Sequence, residues 1–205
     1  MKTTVIGIDY SLTSPCVCVS KDKTFSNSYF YFLNDRKSVV GKHHNILGNF
    51  HDDYMVDQER YENLANWVLE ILLNFDKSNT VVMIEDYSFG SKGRIFNIAE
   101  NCGLLKYLLY KNKFSYQTIQ PTVIKKYATG KGNANKQLMY DAFYKEHQVD
   151  LIDVYSKKGK LDSPVTDIVD SYYLKNYTID NIGTFNTKPK KEPKQEKNEN
   201  GRITK

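Results

Sequence analysis

The chain has 205 residues, 40% of them hydrophobic and 26% charged, with a net charge of +5. That length suits one domain with a sizeable core, and the composition is that of an ordinary globular protein. No apolar run reaches the roughly 18 residues that span a bilayer, and Asp9 comes too early for a secretory leader to precede it, which argues against membrane and secreted classes.

Residues 3–10 open as a strand, with Val5, Ile6 and Ile8 around Gly7 and Asp9 at its end. Residues 16–19 and 28–32 follow, separated by a polar Lys21-Asp22-Lys23 turn, which predicts three consecutive antiparallel strands. Residues 34–57 are polar, hold His43, His44 and His51, and show no clear periodicity. A loop of that length is unusual inside a compact domain, so the segment reads as an insertion, with a surface hairpin as one form open to it. Leu64, Trp67, Val68, Ile71 and Leu72 recur at helical spacing over residues 61–75. The apolar run 81–84 has the character of a buried central strand and stops at Glu85. A helix over 94–110, a fifth strand over 114–119 and a short helix over 121–127 come next. After Gly130-Lys131-Gly132 a further helix covers 133–147. The last covers 164–177, with Ser163 as N-cap and Pro164 at the first helical position. The order βββαβαβααα gives an α/β class: a mixed five-stranded sheet flanked by helices, in one domain over residues 1–185.

Residues 186–205 hold seven basic and three acidic side chains, +4 of the total +5, which leaves +1 for residues 1–185. With two prolines and Ile203 as its one large aliphatic residue, this tail cannot bury enough surface to offset its ordering entropy. It is expected to be disordered. It reads either as a basic arm drawn to a phosphate backbone or as a solvated terminus. The three cysteines, Cys16, Cys18 and Cys102, are odd in number and lack CxxC spacing. That argues against a disulfide framework and a zinc site, and points to a reducing, cytoplasmic setting.

Four acids carry the chemistry. Asp9 ends the first predicted strand and Glu85 the fourth, where ligands gather in an open α/β sheet. Asp167 and Asp170 stand three apart on a predicted helix and project from one face. Like charges at that spacing repel, and the pair is expected past the first turn, where the helix dipole helps less. A divalent cation resolves the conflict. Any one such acid is more often a solvated strand end or helix face; the set of four carries the reading. Four carboxylates are also what two hard cations need to cut a phosphodiester, one activating water and the other stabilising the leaving oxygen. The ligand type suits Mg²⁺, with Mn²⁺ as a substitute, rather than zinc.

Gly7-Ile8-Asp9-Tyr10-Ser11, Ile84-Glu85 and Asp167-Ile168-Val169-Asp170 resemble, in the same order, the three acidic motifs of RuvC-type Holliday junction resolvases. The resemblance covers about residues 3–177 apart from 34–57. It implies an RNase H-like fold and two Mg²⁺ ions held by Asp9, Glu85, Asp167 and Asp170, with Asp9 touching both. It also implies endonucleolytic cleavage of branched DNA, four-way junctions above all, leaving 5′-phosphate ends. Where the common cellular form has Pro-Gly after the first acid, this chain has Tyr10-Ser11. Together with the insertion and tail, that departure resembles a virus- or phage-encoded relative, acting in the host cytoplasm.

Around Gly130 and Gly132 the backbone is free to approach a phosphate, and the helix that follows offers unpaired N–H groups. Lys131 and Lys136 flank that point as candidate DNA contacts; a turn with an Asn N-cap and solvated lysines is the alternative. The family has a similar loop leading to a helix with a lysine in its first turn, which Lys136 matches best. The spacing is not that of a Walker A loop. After Glu85, the loop holds Tyr87, Phe89, Lys92 and Arg94, candidates to stack on or contact unpaired DNA. The resemblance places the stacking aromatic at Ser88, so Tyr87 or Phe89 would have to substitute. The 94–110 helix is apolar on more than one face, and Ala99 and Gly103 leave a smooth spot on it. The resemblance implies a homodimer built there, since paired cuts in a symmetric junction need two active sites; a helix sandwiched within one domain is the alternative. Two other functions stay open: a nuclease on RNA–DNA hybrids, and a nucleic-acid-binding protein that keeps the fold without cutting. The four acids argue against the second, because a pure binder has no use for converging negative charge beside a phosphate.

Overall fold

The computed structural model describes residues 2–86, 94–156 and 159–184. Its strands are β1 (Thr4–Asp9), β2 (Cys16–Ser20), β3 (Tyr29–Asn34), β4 (Gly41–His43), β5 (Ile46–Phe50), β6 (Thr80–Glu85) and β7 (Ser115–Ile119). Its helices are α1 (Asp57–Leu72), α2 (Ile95–Lys111), α3 (Pro121–Thr129), α4 (Lys136–His147), α5 (Leu151–Tyr155) and α6 (Val165–Asn181). The strands form one mixed sheet in the order β4-β5-β3-β2-β1-β6-β7. β1 pairs antiparallel with β2 and parallel with β6, so the strand order switches direction at β1.

The sheet has seven strands rather than the expected five. The two extra ones lie in the 34–57 segment, where residues 41–43 and 46–50 form a hairpin at the edge of the sheet. β4 and β5 form an antiparallel hairpin, and β5 adds parallel to β3. In β5, Ile46 and Gly48 both face inward and are buried. A Cβ at Gly48 would overlap the Phe32 ring and push it aside, and glycine at that point breaks the alternation that would reveal a strand.

The two faces of the sheet carry separate cores. Ile6, Ile8, Val17, Val82 and Ile84 pack with α1 and α2 on one face. On the other, Cys16, Cys18, Phe30, Phe32 and Met83 pack against α4 and α6. Because side chains alternate along a strand, Asp9 and Glu85 fall on the α6 face, with Gly7 and Met83. α6 lies across β1 so closely that a Cβ at Gly7 would overlap Ser171 O and Lys175 N. Gly7 is thus what lets α6 descend onto the strand that carries Asp9. Among the described residues, no helix is long and apolar enough to cross a membrane.

α6 starts one residue later than expected. Pro164, not Ser163, is its N-cap, and it makes no side-chain cap hydrogen bond. The Ser163 carbonyl is instead taken by Arg36 Nη2. Between α4 and α6 lies α5, a single short helix that no periodicity in the sequence marks; the side chain of Asp150 caps it, accepting from Ile152 N at 2.9 Å and Asp153 N at 3.1 Å.

Candidate active site

Asp9 and Glu85 end neighbouring parallel strands, one step beyond the Ile8–Ile84 pair of the ladder. α6 crosses above them and contributes Asp170. A cleft of about 590 Å³ opens here, and Asp9, Glu85 and Asp170 line it together with Lys125 and Lys136. Asp167 is not part of that lining. It is 7% exposed, and its charge acts on Asp9 and Asp170. It also lies in the first turn of α6, not past it as expected, so the helix N-terminus does favour its charge. Thr166 Oγ1 donates to Asp167 Oδ1 at 3.2 Å and accepts from Lys136 Nζ at 3.4 Å. Asp167 Oδ2 is buried and meets no donor in hydrogen-bonding geometry among the described residues.

Burial dominates the electrostatics. It pushes the Asp9 carboxyl well above the usual range, and the charges of Glu85, Asp167 and Asp170 push the same way against Lys136. Glu85 is pushed up to about 8, by burial and then by Asp170, with Lys125 opposing. Asp170 is pushed up to about 7, by burial and then by Asp167, with Lys136 and Lys125 opposing. Burial raises Asp167 too, offset by the hydroxyls of Ser14 and Ser163 and by Lys136. Such crowding of acids is characteristic of sites that exchange protons or bind cations.

One consequence is a pH-dependent stability of the metal-free protein. A carboxyl whose folded value is raised holds its proton longer in the native state than in the unfolded one. Stability is then full below the unfolded value and falls as pH rises through the folded value. With Glu85 moving from 4.5 to about 8 and Asp170 from 3.8 to about 7, the fall spans that window. Calorimetry in the presence of a chelator should show the unfolding midpoint dropping across it, and Glu85→Gln or Asp170→Asn should flatten the drop. A midpoint that rises through the window would contradict these shifts.

The other expected contacts divide. Lys136 faces the cleft, as does Arg94. Lys131 does not line it; it lies exposed in the α3–α4 turn, its N–H donating to Thr129 Oγ1 at 3.1 Å. That turn ends α3 with Gly130 in the left-handed conformation (φ +78°), and Asn135 caps α4 by accepting from Leu138 N at 3.0 Å. Lys131 thus stands in a solvent-exposed turn before the Asn-capped α4, outside the cleft, while Lys136 lines the cleft beside the acids. Tyr87, Phe89 and Lys92 lie outside the described residues, as does the 186–205 tail. Sequence reasoning passed over Lys125, which lines the cleft from α3 and acts on Glu85 and Asp170; helical phase from Pro121 was the available signal. Tyr10, which stands where the cellular motif has Pro, donates from its hydroxyl to Asn101 Oδ1 at 3.1 Å and ties the end of β1 to α2. Gly103 and Phe96 on α2 are exposed, and so are Tyr107 and Tyr110.

Among the described residues, no group of three or more His, Cys, Asp or Glu side chains is arranged, as it stands, to hold one ion. The chemistry of the donor set nevertheless fits a hard cation. Four carboxylates meet in one partly buried place, their charges raise one another's affinity for protons, and one buried oxygen lacks a well-placed donor among the described residues.

No protein-family model matches the sequence, and no curated protein matches it. Solved structures do match. RuvC of Thermus thermophilus is 15% identical with a TM-score of 0.55, covering 88% of this chain and 97% of that one. The T. thermophilus RuvC in complex with a Holliday junction substrate is 14% identical with a TM-score of 0.59, covering 89% and 97%. The yeast mitochondrial Holliday junction resolvase Ydc2 is 12% identical with a TM-score of 0.53, covering 87% and 78%. In the course of its chain and its mixed sheet, this protein has the fold of those RuvC structures.

Proposed function

We propose that the protein is a metal-dependent endonuclease that resolves four-way DNA junctions. The observation that carries this is the cleft in which Asp9, Glu85 and Asp170 lie beside Lys125 and Lys136, with the charge of buried Asp167 acting on Asp9 and Asp170. Asp9, Glu85, Asp167 and Asp170 are the residues that would hold Mg²⁺, or Mn²⁺ in its place. Two such ions, when bound, supply water activation and stabilisation of the leaving 3′-oxygen, which leaves a 5′-phosphate. The protein's own part is to gather the carboxylates on rigid elements and to hold the phosphate. Lys136 and Lys125 offset the negative charge of the acids, so that a phosphodiester can enter a cleft that would otherwise repel it. Lys136 also orders Asp167 through Thr166. The junction substrate is supported by the fold shared with resolvases, one of which is described with its Holliday junction.

The test is incubation with four-way, three-way, flap, linear duplex and RNA–DNA hybrid substrates, with and without Mg²⁺. Mg²⁺-dependent paired incision of the four-way junction is expected; cutting of the hybrid alone, or binding without cutting, would overturn the reading.

The working unit in this reading is a homodimer that joins through the outer face of α2, where Phe96, Gly103, Tyr107 and Tyr110 are exposed. Residues 186–205 add attraction to the DNA backbone through their net +4. Their deletion is expected to weaken junction binding and to flatten the plot of log affinity against log salt. The slope should fall by about one for each basic side chain that meets a phosphate. An unchanged slope would mean that the tail does not touch DNA.

A further inference from the structure

The segment between β3 and α1 has a use that begins with two side chains at its start. Asn34, the last residue of β3, is 3% exposed. Its Nδ2 donates to Ser14 Oγ at 3.3 Å, and its Oδ1 accepts from Arg36 N at 3.0 Å and Arg36 Nε at 3.4 Å. The bond from its side chain to the amide two residues on is the local turn that Asn favours, and it fixes where the guanidinium starts. Arg36 then crosses to the other acid-bearing element. Nη1 and Nη2 donate to the two carboxylate oxygens of Asp162, each at 3.4 Å, and Nη2 also donates to the Ser163 carbonyl.

These partners lie on the two sides of the candidate site. Ser14 is buried in the turn that follows Asp9. Asp162 and Ser163 lead directly into α6, and the Asp162 carbonyl accepts from Thr166 N at 3.3 Å. One path therefore runs from the turn after Asp9, through Asn34 and Arg36, to the start of α6. At its α6 end the path reaches Asp167 through Thr166, whose N–H is held by the Asp162 carbonyl and whose Oγ1 donates to Asp167 Oδ1 at 3.2 Å. The same β1–β2 turn is gripped at the far end of the segment, where His51 Nε2 lies 2.8 Å from Thr13 O, and Arg60 Nη2 at the start of α1 donates to Leu12 O at 2.7 Å.

We infer that Asn34 and Arg36 are positioning residues: they lock the β1–β2 turn to the start of α6 and so set Asp167 against Asp9. The inference rests on the metal-site reading above. A helix packed on a strand through apolar contacts has freedom to shift slightly, and a two-pronged guanidinium–carboxylate contact removes it by fixing orientation as well as distance. The Arg36 and Asp162 side chains are 40% and 35% exposed, so their pairing adds little to global stability. Its effect falls on the geometry of the acids, where groups that support metal ligands typically matter 10- to 100-fold for affinity, roughly.

The experiment is Mn²⁺ titration, followed by spin resonance, of the full chain as wild type, Arg36→Ala, Arg36→Lys, Asp162→Asn and Asp9→Asn, with exposed Lys37→Ala as control. Arg36→Ala is expected to weaken Mn²⁺ binding by roughly 10- to 100-fold, with an unchanged unfolding midpoint. Arg36→Lys should recover only part, since an ammonium cannot reproduce the two-pronged contact. Arg36→Ala combined with Asp162→Asn should be no worse than Arg36→Ala alone, because both remove one contact. Cleavage by Arg36→Ala should fall at limiting metal and return at saturating metal. Wild-type Mn²⁺ affinity in both Arg36→Ala and Asp162→Asn would overturn the inference while leaving the metal site standing. If Arg36→Ala fails to fold, Asp162→Asn, which keeps size and loses only charge, decides alone. A wild type without Mn²⁺ binding that Asp9→Asn removes would defeat the metal site, and this inference with it.

Discussion

Asp9→Asn is expected to abolish junction cleavage, lowering the rate by roughly a hundredfold or more, a loss at least on the scale of removing one strong transition-state contact. Asn keeps the size of the side chain and removes its charge. The position is central, since the charges of Glu85, Asp167 and Asp170 all act on Asp9. Junction binding should survive, because the lysines proposed to meet the backbone are untouched. The metal-free protein should be as stable as wild type or more so, since one member of a repelling group has become neutral. Glu85→Gln, Asp167→Asn and Asp170→Asn should follow the same pattern. The combination of lost cutting, retained binding and retained unfolding midpoint separates a chemical defect from a folding one. An Asp9→Asn protein that cuts junctions at the wild-type rate would remove the basis of the proposed site.

Gly103→Leu is expected to yield a folded monomer that has lost paired incision and retains single nicks. The structure gives a specific reason to expect the fold to survive. A Cβ at Gly103 meets nothing within 4 Å, and replacing glycine inside a helix relieves a propensity cost of about 0.8–1 kcal/mol. The same substitution on a face that packs closely against a second copy would hold the helices apart, an overpacking that typically costs about 1–3 kcal/mol. That is enough to move a modest dimer toward monomer at micromolar concentration. Sedimentation with and without junction DNA measures this directly. A single protomer on each junction that still makes paired cuts would rule the α2 dimer out.

Much of the site is legible in the linear sequence. Asp9 and Glu85 each end an apolar run, and a strand buried on both faces must show its polar residues at its ends. The i, i+3 spacing of Asp167 and Asp170 puts them on one helical face, and Gly7 marks the place where something comes close to the strand. Other features are hidden for physical reasons. β5 escapes notice because Gly48 lies against the Phe32 ring, and a buried glycine leaves no hydrophobic signal. The N-cap of α6 is Pro164 rather than Ser163, a residue whose carbonyl lies against Arg36 from far away in sequence.

What the sequence determined by itself was therefore the α/β class and which acids stand at strand ends or share one helix face, because strand and helix periods are local properties that a linear pattern records. Only the tertiary structure decided which lysines line the cleft with them, that Asp167 is buried outside its lining, and that Asn34 and Arg36 join the turn after β1 to the residues leading into α6. Arg36 and Asp162 are 126 positions apart, and no pattern along the chain encodes such a contact. It exists because α6 settles onto Gly7 and β5 extends the sheet beside β3, and the packing of those elements brings the two side chains within reach.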